Sequence, residues 1–191
     1  MEYALISLTH LDLSVSEEDD DGGLLAATGP VFEFLCCCEK LEQARLVFGR
    51  LLDGTLPTGH RLNSLEDHSS ELLGLLTRQT PWLNLRELEL EVATDEDSLL
   101  GFLTSLAPNL RRLALSNVTL LPSHGQWERA VLRIADVMQL DSLKLSNLCD
   151  YPQLQGQPRR QVRSMFEEDE KVFDRGQLRS LQDVYRKRRK Q

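Results

Sequence analysis

The residues best equipped for chemistry are three consecutive cysteines, four scattered histidines and an alternating row of glutamates. Cys36, Cys37 and Cys38 are adjacent, and consecutive residues on a helix point about 100° apart. They cannot converge on one ion, and zinc sites want Cys-x-x-Cys spacing with further ligands elsewhere. Core packing is the expectation for them. His10, His60, His68 and His124 stand apart from any Ser or Cys partner in the sequence pattern. No nucleophile elbow, phosphate loop, dinucleotide fingerprint or paired-histidine metal motif is found. The acidic runs Glu17–Asp21 and Glu167–Glu170 lack calcium-loop spacing and a suitably placed glycine, and read as solvated linkers. The expectation is a non-enzymatic protein with no catalytic residue, no metal and no cofactor.

Glu87, Glu89 and Glu91 are different, because a spacing of two puts them on one side of a strand. They can act only if that strand exists, and the surrounding leucines say that it does. Leu-x-x-Leu-x-Leu recurs at Leu8, Leu11, Leu13; at Leu85, Leu88, Leu90; at Leu110, Leu113, Leu115; and at Leu140, Leu143, Leu145. A weaker copy runs Leu41, Ala44, Leu46. Each copy ends in the alternation of a strand with one buried face.

Helical stretches lie between the copies. Thr94 to Pro108 opens on a cap followed by an acidic residue three places on, and carries Leu99, Phe102, Leu103 and Leu106 at helical spacing. Ser123 to Met138 has the same form, with Trp127, Ala130, Val131, Ile134 and Met138. Ser64 to Thr77 is a third, and Pro30 to Cys38 starts a shorter one, with Pro30 suited to a first turn. One strand and one helix cannot bury their apolar faces alone, whereas stacked copies can. The expected fold is an α/β solenoid of parallel strands alternating with helices, about four to five repeats long.

Leu-Arg-Glu-Leu-Glu-Leu at Leu85 and Leu-Arg-Arg-Leu-Ala-Leu-Ser-Asn-Val-Thr-Leu at Leu110 resemble leucine-rich repeats. More narrowly they resemble the degenerate repeats of fungal F-box-type proteins, in which Ala-Pro-x-Leu ends a helix and a Trp opens the next. Here those are Ala107 to Leu110 and Trp127. The likeness runs over roughly Trp82 to Leu148. It implies a short leucine-rich-repeat solenoid forming the substrate-recognition half of a ubiquitin-ligase adaptor. The chain departs from that family at two points. The asparagine that follows the strand in regular repeats is replaced by Ser16, Ala93, Val118 and Leu148, and no F-box helix bundle is read at the N-terminus.

In such a solenoid the residues between the leucines face the concave side: His10, Asp12, Ser14; Glu87, Glu89, Glu91; Arg112, Ala114, Ser116; and Ser142, Lys144, Ser146. Glu87, Glu89, Glu91, Arg112 and Lys144 are the expected contacts for a protein partner of basic or mixed charge. The plainer alternative is a solvated face with weak ion pairs.

Charge divides the chain. Residues 159–191 hold 11 Lys/Arg against 6 Asp/Glu, which leaves 11 against 24, a net −13, in the remainder. The acidic body disfavours nucleic acid and anionic membrane. Gln177 to Lys190 reads as an amphipathic helix ending in Arg186, Lys187, Arg188, Arg189 and Lys190, either a nuclear-import signal, a contact with nucleic acid or acidic protein, or cations at a helix C-terminus. The expected division is a repeat domain over 1–149, an irregular linker over 150–176 and a basic helical tail over 177–191. No stretch approaches 18 apolar residues, and Met1 to Ser14 reads as a strand and not as a signal peptide. Four cysteines without a disulfide framework suit a reducing cytoplasm or nucleus. The alternative function is a nuclear nucleic-acid-associated protein acting through the basic tail.

Overall fold

The computed structural model describes residues 7–15, 23–48, 62–79, 82–121, 127–150, 160–161 and 170–188. Strands β1 (His10–Val15), β2 (Gln43–Phe48), β3 (Glu87–Glu91), β5 (Arg112–Ser116), β7 (Ser142–Ser146) and β10 (Glu170–Asp174) form one sheet in that order. All its pairings are parallel except that of β10 with β7. Helices α1 (Gly23–Cys36), α2 (Leu62–Gln79), α3 (Glu96–Leu106) and α4 (Trp127–Val137) fall between the parallel strands, and α5 (Arg175–Arg188) follows β10. Each helix packs on the next in sequence. A second sheet holds the two-residue strands β4 (Ala93–Thr94), β6 (Thr119–Leu120), β8 (Cys149–Asp150) and β9 (Arg160–Gln161).

The leucine spacing becomes columns across the sheet. Leu11, Ala44, Leu88, Leu113 and Leu143 are in register, as are Leu13, Leu46, Leu90, Leu115 and Leu145. A slip of one residue would turn every leucine to water, so burial fixes the register. Against these columns the helices place Leu72, Leu73, Leu76, Leu99, Phe102, Leu103, Trp127, Val131 and Ile134, all buried. The two tryptophans reach carbonyls with their indole N–H groups: Trp82 Nε1 donates to Leu35 O at 3.0 Å and Trp127 Nε1 to Cys149 O at 2.9 Å. Satisfying that N–H is what lets so large a ring be buried completely.

Several local expectations shift. Thr94 is not the cap of α3; it lies in β4, fully buried, with Ser70 Oγ 3.1 Å from its hydroxyl. Asp95 caps instead, its Oδ1 accepting from Ser98 N–H at 2.8 Å. Pro30 lies inside α1, not in its first turn, because that helix begins at Gly23. Within the segment 150–176, read from its composition as irregular, β10 forms an antiparallel strand with Phe173 opposite Leu143. A reciprocal capping box then starts α5 two residues earlier than Gln177: Asp174 Oδ1 accepts from Gln177 N–H, and Gln177 Oε1 accepts from Asp174 N–H.

Helices α3 and α4 are also joined by a buried carboxylate. Glu96, with a side chain 3% exposed, takes two hydrogen bonds from Arg129, at 2.9 and 3.0 Å, and one from Arg133 at 3.4 Å.

Candidate functional site

With the leucines committed to the helix layer, the alternate strand residues rise on the other side. His10, Gln43, Glu87, Arg112 and Ser142 form one row across the sheet. Asp12, Arg45, Glu89, Ala114 and Lys144 form the next, and Ser14, Val47, Glu91 and Ser146 belong to a third with Ser116. A shallow concavity of about 550 Å³ lies over the first two rows. Its depth follows from side-chain size, since Ala114 and Ser142 are short where the flanking positions carry Glu89, Arg112 and Lys144.

All five expected contact residues lie on this face, but the three glutamates are not a bare acidic stripe. Arg112 Nη2 bonds Glu87 Oε1, and Gln43 Nε2 donates to the same oxygen at 3.1 Å. Lys144 Nζ is 3.1 Å from Glu170 Oε2 on β10. Arg45, which the weaker second repeat copy concealed, holds the centre. Its Nε lies 3.3 Å from Glu89 Oε1, its Nη2 3.1 Å from Glu91 Oε1 and its Nη1 3.3 Å from Asp12 Oδ1. The hydrogen bond to Glu89 is the main reason its guanidinium is held above its ordinary range. Burial opposes this, while the Asp12 and Glu89 charges and the Glu91 bond add to it. One signal could have revealed Arg45: aligned on Leu41, Ala44 and Leu46, it occupies the place of Glu89.

Asparagines missed in the sequence also serve this face. Asn117 and Asn147 fall one residue before the places that regular repeats give to a turn asparagine, and both have positive φ, 53° and 49°. Asn tolerates the left-handed region better than other residues with a Cβ. Asn117 Nδ2 donates to Glu91 Oε2 at 2.8 Å, and Asn147 Nδ2 to Asn117 Oδ1 at 2.6 Å. The positions one further on, Val118 and Leu148, are buried. The polar turn residue and the apolar anchor are thus neighbours in sequence with opposite roles.

The other candidate groups are placed as follows. Cys38 is buried and donates to Phe34 O, Cys36 is half-buried and Cys37 is exposed. Burial chiefly, with the neighbouring thiols, pushes Cys36 and Cys38 above the ordinary thiol range, away from nucleophilic thiolate. Among the described residues no group of three or more His, Cys, Asp or Glu is placed to hold a metal ion. His10 Nδ1 meets Thr9 Oγ1 at 2.9 Å. His60, His124, Glu17–Asp21, residues 167–169, Arg189 and Lys190 lie outside the described residues, as do the side chains of His68 and Arg188. Of the basic run, Lys187 is exposed and Arg186 Nε is bound to Asp136 Oδ1 at 3.0 Å, on α4. Among the described residues no helix is long and apolar enough to cross a membrane.

No family model matches the chain, and no curated protein matches it either.

Proposed function

We propose that the chain is a leucine-rich-repeat scaffold without catalytic activity that binds a protein partner on the polar face of its sheet. The observation that carries this reading is the in-register face itself. Parallel strands deliver Asp12, Arg45, Glu89, Ala114 and Lys144 in one row over a concavity, on a face whose reverse side carries the leucine columns. Side chains already tied to one another lose little freedom on binding, which lowers the cost of association. Alternating charge then sets the approach and register of a mixed-charge partner. The finer part of the proposal follows from the resemblance to F-box-type repeats: the bound partner is a target presented to ubiquitin-ligase components.

Capture from cell extract with cross-linking tests this reading. The wild-type chain should retain a defined partner that the combined Glu89→Gln, Arg112→Gln, Lys144→Gln variant loses. Arg78→Gln, on the exposed side of α2, should retain it. Neutral replacements are cleaner here than lysines, which would repel Arg45 and disturb the face itself. Equal retention by all three proteins would refute the binding face. Added ubiquitin on the retained partner, dependent on this chain, would support the ligase part, and its absence would remove that part alone.

A further inference from the structure

The two ends of the six-stranded sheet are finished differently. At one end β10 turns antiparallel, buries Phe173 and leads into α5, where Leu178 is buried and Gln182 and Arg186 hold Ala135 O and Asp136. At the other end β1 pairs with β2 alone among the described residues. There Leu11, Leu13 and Val15, with Phe32 and Phe34 of α1, are only half-buried.

Among the described residues, the outer main-chain groups of β1 meet no partner, in a defined pattern. Gln43 N–H donates to Thr9 O at 3.0 Å. In a parallel ladder this commits both backbone groups of Leu11 and Leu13, and the N–H of Val15, to β2 and turns those of His10, Asp12 and Ser14 to the outer edge. The strand, His-Leu-Asp-Leu-Ser-Val, carries no Lys and no Pro, two of the usual guards of an exposed edge.

We infer that two copies of this chain join along β1, antiparallel, about a twofold axis perpendicular to the sheet. The alternation of β1 is self-complementary in one register. Centred on Leu13, it pairs Leu13 with its counterpart, Leu11 with Val15 and Asp12 with Ser14, so half-buried apolar groups cover each other. Centred on Asp12, it would set like charges directly opposite, which is unfavourable. Centred on Leu11, it would leave Val15 without an apolar neighbour. In the Leu13 register Asp12 and Ser14 exchange backbone hydrogen bonds, and the leucines form the intervening pair. The axis keeps both polar faces on the same side, so the rows through Asp12 and Arg45 continue from one copy into the other.

Sedimentation equilibrium of the wild-type chain and of Ser14→Pro tests this. Proline at Ser14 removes only an edge-directed N–H and leaves the bonds to β2 in place. The wild type should dimerise reversibly. The variant, with unchanged circular dichroism, should weaken the dimer at least about tenfold, because the twofold axis repeats each lost bond. A wild type that stays monomeric at every concentration, or a folded variant that dimerises equally well, overturns the inference. Amide exchange serves if the variant fails to fold. In the wild type the Asp12 and Ser14 amides should slow as concentration rises while those of Leu11 and Leu13 do not change, and concentration-independent exchange at Asp12 and Ser14 overturns the inference.

Discussion

Arg45 Nε stands 3.3 Å from Glu89 Oε1 on the adjacent strand, and the same guanidinium reaches Asp12 and Glu91. One cation thus serves three carboxylates from β1 and β3. Removing it as Arg45→Gln leaves those carboxylates facing one another. Because Arg45 is 39% exposed, the expected loss is below about 1 kcal/mol. The loss should shrink as salt is added, since screening weakens the repulsion that replaces the pairs. Urea unfolding of wild type and variant at low and high salt measures this. A deficit that does not change with salt would mean that packing, not charge, is what Arg45 supplies.

The α/β layering was legible because it rests on local periodicity. Leu88, Leu90, Leu113, Leu115, Leu143 and Leu145 repeat at strand spacing, and each set lies in register with the next. Arg45 was harder to find because Ala44 weakens its repeat copy. Proline is commonest in a first turn, so the sequence points to a short helix starting at Pro30, yet α1 begins at Gly23 and passes through Pro30 to Cys36. Strand β10 has no period to read, since Phe173 is its one buried residue and its partner is defined by folding back onto β7. Asn117 and Asn147 escaped for a conformational reason. Their function follows from positive φ, and no spacing rule fixes which of two adjacent residues takes it.

Asp95 gives a pH-dependent prediction. Burial pushes its carboxyl upward, but hydrogen bonds from Ser98 and Ser70 outweigh that and hold it below its ordinary value. A folded value below the unfolded one, about 3.9, means that the carboxylate stabilises the fold above that pH. The contribution is lost as pH falls from there through the folded value. Asp95→Ala should cost about 1 kcal/mol at neutral pH through the lost cap, and the gap to wild type should close in acid. Asp95→Asn keeps a capping oxygen and should cost less at neutral pH. Thermal melts across that range decide the matter, and a gap that widens in acid would contradict the sign.

Glu96 ties α3 to α4 through two unequal partners. Arg129 grips both of its carboxylate oxygens, while Arg133 approaches one of them at 3.4 Å. Bidentate pairs of this kind are the stronger ones. Arg129→Ala should therefore destabilise more than Arg133→Ala, because it strips a carboxylate that is 3% exposed of its main partner. Glu96→Ala should cost roughly 1.5–3 kcal/mol, the range for hydrogen bonds to charged groups, at its lower end because both arginines can turn to water. Denaturant midpoints for the three variants give the order. Equal effects of the two arginines would mean that the distances do not rank the bonds.

Asn117 separates backbone strain from side-chain bonding. Its φ of 53° penalises any residue with a Cβ other than Asn or Asp, by about 1–2 kcal/mol. Its amide also links Glu91 Oε2 with Asn147 on the exposed surface. Asn117→Gly removes the amide but accepts the φ, whereas Asn117→Ala removes the amide and pays the strain as well. The difference between the two variants should therefore be about 1 kcal/mol in favour of glycine, even though alanine is the stiffer residue in the unfolded chain. Unfolding free energies of both proteins measure it. If alanine proves the more stable, the turn between β5 and β6 relaxes out of the left-handed conformation, and the asparagines at 117 and 147 are held for their side-chain bonds alone.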